Sequence, residues 1–106
     1  MDFTSIYDGK KVRFTPEVAV KTQEDLGADI QMVLDVCAAL PATDDQVITA
    51  MKRTHLWAER AKAAHARPDQ ALCGIVQGGI NPDLRHESGA ALAHLDFEGY
   101  GIGGLS

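Results

Sequence analysis

The 106-residue sequence has no apolar run near the ~20 residues that a membrane-spanning helix needs, and Met1-Asp2-Phe3 opens without a basic stretch or an apolar leader. These absences predict a cytoplasmic protein with no membrane partner. Cysteine is scarce. Only Cys37 and Cys73 occur, with no Cys-x-x-Cys and no His-x-x-x-His pair, so neither a disulfide framework nor a metal centre is indicated and no metal ligand is assigned. Both thiols lie in strand-like runs and are expected to be buried. Basic residues are also in deficit, ten against fifteen acidic ones for a net charge of −5, which argues against a major phosphate-binding surface in this piece. The remaining composition, 45% hydrophobic and 24% charged, describes one small globular domain over residues 1–106.

Phe3 to Phe14 contains two short apolar runs around Asp8-Gly9, the signature of a hairpin with a two-residue turn. Thr15-Pro16-Glu17 supplies a cap, a proline for the first helical position and an acid for the first turn. Gly27 supplies a stop, so a helix is predicted over about Pro16 to Leu26, with a narrow stripe of Ala19, Thr22 and Leu26. Ile30 to Cys37 reads as a strand carrying Asp35 near its end. Thr43-Asp-Asp-Gln46 is a capping box that opens a long amphipathic helix to about Arg67, with Val47, Ala50, Met51, Thr54, Trp57, Ala58, Ala61 and Ala64 on one stripe. Trp57 is expected in the core, and His55 and His65 are expected to be packed or solvated. Within Ala71-Leu-Cys-Gly-Ile-Val-Gln-Gly-Gly79, Leu72 to Val76 is too short for a helix and reads as a strand buried on both faces, with Gln77 at its carboxyl end. Asn81-Pro82-Asp83 caps a third helix with Leu84, Ser88, Ala91, Leu92 and Leu95 inward. A last strand then runs into Gly103-Gly104.

Strands alternating with helices of these lengths predict right-handed βαβ units and a parallel sheet behind the hairpin. In such a sheet the carboxyl ends of the strands face the ligand, and Asp35, Gln77 and Gly103-Gly104 all stand at those ends. A carboxylate accepts two adjacent N–H groups, while a carboxamide and an unobstructed glycine N–H can donate to one carbonyl. That set matches the N1–H, 2-amino and O6 edge of guanine and equally fits other amide-like heterocycles. Asp35 bonding only loop amides, and Gln77 beside an ordinary strand-to-helix turn, are the plainer alternatives.

Asp35-x-Cys37, Pro41-Ala42-Thr43, Gly74-Ile-Val-Gln77-Gly78 and Phe97-Glu-Gly-Tyr-Gly-Ile-Gly-Gly-Leu105 resemble the middle of bacterial tRNA-guanine transglycosylases, also called queuine tRNA-ribosyltransferases. Tyr7-Asp-Gly and Leu26-Gly-Ala-Asp-Ile30 are similar too. The resemblance implies an α/β fragment of a TIM-like (β/α)8 barrel, about three parallel strands with helices plus an N-terminal hairpin. It implies exchange of guanine at the tRNA wobble position for a 7-deazaguanine, by double displacement through an aspartate nucleophile. It places both catalytic aspartates outside this chain, so no catalytic residue is assigned here, and it places the zinc of the full-length enzyme beyond Ser106. What it carries over is base binding: Asp35 to the N1–H and 2-amino edge, Gln77 and the Gly104 amide to O6, with Leu105 and Cys37 lining the pocket. Val36 departs from the Asp-Glu-Cys of many bacterial members, which bears on selectivity among related bases. The implied partners are tRNA, the free base and a second copy in a homodimer. The competing readings are another (β/α) barrel enzyme and a non-catalytic partner subunit of the same family.

Overall fold

The computed structural model describes residues 1–105. The chain opens with a hairpin of β1 (Asp2–Thr4) and β2 (Lys11–Arg13), paired antiparallel with Asp2 opposite Arg13 and Thr4 opposite Lys11. The turn is longer than the two residues predicted. Ser5 N–H donates to Lys10 O at 2.8 Å and Gly9 N–H to Ser5 O at 3.0 Å, so Ile6 to Gly9 form the loop. The Asp8 carboxylate accepts from Lys10 N–H within it, a side-chain turn that competes with the tight hairpin.

Local caps set the helices where the sequence places them. Helix α1 spans Pro16–Leu26, with Thr15 Oγ1 accepting from Val18 N–H at 3.2 Å and Gly27 closing the end. Its buried residues are Pro16, Ala19 and Val20, whereas Leu26 is 79% exposed. The predicted stripe is therefore rotated, because the helix packs along α2 through its first turns. An ion pair of Arg60 with Glu17 joins the two helices there. Helix α2 spans Asp44–Ala64, three residues shorter than expected, and both bonds of the Thr43/Gln46 capping box are formed. Such a cap contributes about 1 kcal/mol. Met51, Thr54, Ala58 and Ala61 are buried, but Trp57 is only partly so, lining an open groove with Leu56 and Arg60 instead of entering the core.

The sheet is β3 (Ile30–Met32), β4 (Ala71–Val76) and β5 (Gly99–Ile102), parallel, in the order β3-β4-β5. Helix α3 (Pro82–Leu95) connects the last two, capped by Asn81 Oδ1. Ile30 pairs with Ala71 and Cys73 with Gly99. One face of this sheet meets the helices, where Val20, Val33, Ala58, Ala61, Leu72, Leu92 and Phe97 make the core. The other face is not covered within the described residues. Strand β4 is accordingly half-buried, with Leu72 and Gly74 inside and Ala71, Cys73, Ile75 and Val76 partly exposed, where burial on both faces was expected. Neither cysteine is fully buried: Cys73 is on the uncovered face and Cys37 is exposed beyond the strand. The described residues form a three-helix α/β unit with a parallel three-stranded sheet, consistent with part of a barrel. Among the described residues no helix is long and apolar enough to cross a membrane.

Candidate functional site

Strand β3 ends at Met32, shorter than the Ile30–Cys37 run predicted, so Asp35 lies on the segment that leaves the sheet. That segment is anchored from α2. The buried Thr54 hydroxyl accepts from Val36 N–H at 2.8 Å and donates to Val36 O at 3.3 Å. A chain running out of a strand needs such partners, since its own ladder bonds have ended.

At the exit of β4 the Gln77 side chain is 3% exposed and its Nε2 donates to Asp35 Oδ2 at 2.6 Å. Gly103 and Gly104, at the exit of β5, pack directly on this carboxamide. A methyl group at Gly103 would fall 2.6 Å from Nε2, and one at Gly104 would fall 2.7 Å from Oε1 and 3.8 Å from Cys37 Sγ. Only glycines leave room for the amide. Gly104 also has φ +74°, a conformation that favours glycine. The structure thus brings Asp35, Gln77, Gly104 and Cys37 together. Leu105 is 61% exposed and is not enclosed with them.

Three groups of the site escaped the sequence reading. Arg85, on the first turn of α3, donates from Nε to Gly79 O at 2.7 Å and from Nη1 to Val76 O at 3.3 Å, clamping the turn that follows β4. Its buried Nη2 has no protein partner among the described residues. Ser88, one turn on, accepts from Gln77 N–H at 3.0 Å. His55 Nε2 lies 2.9 Å from the Ser88 oxygen, and burial holds its pKa below the ordinary value despite Glu87 and Glu59 nearby. A serine on the otherwise apolar α3 stripe was the available signal.

A cavity of about 10 Å³ remains between Ala38, Val47, Ala50 and Met51 on one side and Gln77 to Gly79 and Gly104 on the other. It has room for one water at most. Among the described residues no three His, Cys, Asp or Glu side chains gather as a metal ion would require.

The fold and the cluster together define a class: a parallel α/β segment whose ligand-competent groups converge at the carboxyl ends of adjacent strands. The family model for queuine tRNA-ribosyltransferase matches residues 1–106, and the chain belongs to this family. It is 51% identical over 106 residues to a Desulforamulus reducens protein named queuine tRNA-ribosyltransferase, covering all of this chain and 29% of that one. A Dehalococcoides mccartyi protein of the same name is 52% identical over 106 residues, with 27% of its length covered. A third, from Herpetosiphon aurantiacus, is 56% identical over 104 residues, which is 98% of this chain and 26% of that one. The chain therefore spans between 26% and 29% of the length of these relatives.

Proposed function

We propose that these residues are the base-recognition segment of a cytoplasmic, homodimeric tRNA-guanine transglycosylase built on a (β/α)8 barrel. The enzyme exchanges guanine at the tRNA wobble position for a 7-deazaguanine of the queuosine pathway. The observation that carries the reading is the meeting of Asp35, Gln77 and the Gly103-Gly104 pair at neighbouring strand ends, with Nε2 of Gln77 2.6 Å from Asp35.

In this reading Asp35 accepts the N1–H and 2-amino hydrogens of the base. One Gln77 hydrogen is already engaged by Asp35, and the second is available for O6 together with the Gly104 N–H. Cys37 and Leu105 border the ring. The enclosed cavity is too small for a purine, so the base contacts Asp35 from its solvent side. This chain's residues bind and orient the base. The aspartate nucleophile that attacks C1′ and the aspartate that handles protons are supplied by the rest of the enzyme. The zinc of the full-length enzyme has no ligands assigned here.

The test is incorporation of labelled guanine into tRNA by a full-length family enzyme, such as the Desulforamulus reducens relative, carrying these 106 residues in place of its matched segment. Exchange that is lost with Asp35→Ala supports the reading. A folded, tRNA-binding protein without exchange refutes it and favours a partner subunit.

A further inference from the structure

The backbone of Gln77 is held by a side chain that base recognition does not use. Its N–H donates to the Ser88 hydroxyl at 3.0 Å, and His55 Nε2 is 2.9 Å from the same oxygen. Ser88 has no exposed surface. A hydroxyl offers one proton and two lone pairs, and Gln77 occupies one lone pair. The serine proton then needs an acceptor, and among the described residues His55 Nε2 is the group placed to take it. That geometry requires a neutral imidazole carrying its proton on Nδ1. An imidazolium would instead donate into the serine oxygen and leave the serine proton unpaired in a buried site. The environment agrees in direction, since burial favours the neutral form of His55 against the pull of Glu87 on α3 and Glu59 on α2.

We infer that Ser88 and a neutral His55 are positioning residues for base exchange, fixing the backbone of Gln77 so that its carboxamide stays in register with Asp35 and Gly104. The inference rests on the reading of Gln77 as a base contact. Ser88 is not a nucleophile despite its histidine partner, because it is fully enclosed and accepts from a backbone amide. The relay spans 33 residues from α2 to α3 and joins both helices to the exit of β4. It therefore acts on the site from behind, through Gln77 alone.

A merely structural pair would change stability and leave the affinity for the base untouched. The test uses the full-length enzyme carrying these residues, with guanine exchange measured between about pH 5 and 8, the range in which histidine titrates. Ser88→Ala and His55→Leu should each raise the KM for guanine about 3- to 10-fold, the worth of one neutral hydrogen bond, with kcat within about twofold. His55→Gln should restore KM, because its Oε1 can accept where Nε2 does, and should abolish the rise in KM that the unmodified enzyme shows as His55 protonates. Every other titration is common to the two enzymes and cancels in that comparison. Selective ¹⁵N labelling should report the Nδ1–H tautomer at neutral pH. A common KM for all four enzymes, a pH profile shared with His55→Gln, or the opposite tautomer would overturn the relay while base exchange persists. No exchange in the unmodified enzyme would remove the site reading and the relay together. If Ser88→Ala fails to fold, the two His55 variants decide.

Discussion

Substituting Gly103 by alanine tests whether the Gln77 carboxamide is fixed or free. The backbone at Gly103 is outside the positive-φ region, so alanine brings no conformational strain and its effect is steric. The new methyl would sit 2.6 Å from Gln77 Nε2 and 2.8 Å from Ile75 Cγ2. Ordinary contact between such atoms is about 3.5 to 4 Å, so the carboxamide must retreat by roughly 1 Å. It has little freedom to do so, being 3% exposed and bonded to Asp35 at 2.6 Å. A 1 Å displacement in a binding constellation can cost on the order of 10²-fold, or about 2.7 kcal/mol. Overpacking adds about 1 to 3 kcal/mol of lost stability, which a melting curve would show separately. Gly101→Ala, two residues earlier on β5, is the matched control. Its methyl would meet the terminal Met32 Cε at 3.0 Å, a flexible side chain that can yield. Labelled-guanine exchange by the full-length enzyme should therefore fall steeply for Gly103→Ala and stay near normal for Gly101→Ala. Equal activity of the two folded variants would show that Gln77 can relocate without loss, and the pre-set geometry argued above would be wrong.

Asp35→Ala should cost about 2 to 4 kcal/mol in guanine exchange, because the base donors lose both acceptors, and Gln77→Ala should cost less since the Gly104 amide still serves O6. The order of the two activities, read in one exchange assay, checks this. Thr54→Val keeps the shape of a buried residue but removes both bonds to Val36. We expect about 1 to 3 kcal/mol of destabilisation by denaturant titration, and an unchanged midpoint would mean that the Val36 amide finds another partner. The isolated 106-residue chain should self-associate or be only marginally folded. Strands β3 and β5 are both open edges, Ile30 and Ile102 are exposed on them, and the radius of gyration of 14.3 Å exceeds the ~13 Å of a compact domain this size. Sedimentation and melting that revealed a sharply unfolding monomer at micromolar concentration would contradict this.

Where an element is set by its own neighbours, the sequence was readable. Thr15, Pro16 and Gly27 bound α1 where the caps predict, and Thr43 with Gln46 open α2 through a reciprocal pair of bonds. Facing was less readable, because Leu26 and Trp57 satisfy a helical period, yet Leu26 is exposed and Trp57 only partly covered. The length of β3 was also hidden. Its apolar run continues past Met32, but Thr54, distant in sequence, supplies the bonds that a ladder would otherwise give. The site divides the same way. Asp35, Gln77 and the glycine pair were visible because the strand ends of a parallel sheet lie on one side, whereas the partners of Arg85 in the turn after β4 and the meeting of Ser88 with His55 of another helix are contacts that no period encodes.

A glutamine is a poor recognition group if it is free, since ordering its side chain costs about 1.5 to 2 kcal/mol that binding would have to supply. Here that ordering is complete before any ligand arrives. Ser88 holds the backbone N–H, Asp35 holds Nε2, Gly103 and Gly104 wall the amide on one side, and Arg85 clamps the following turn by two carbonyls. In the proposed site, the same Asp35 that orients Gln77 would offer its remaining lone pairs to the base edge, with donor and acceptor locked at a fixed spacing. Fixed spacing discriminates between ring systems in a way that flexible groups do not, because a base with a misplaced donor leaves a buried partner unpaired. Under the proposed reading, the polar contacts behind the site thus belong to its specificity as much as those that would touch the base.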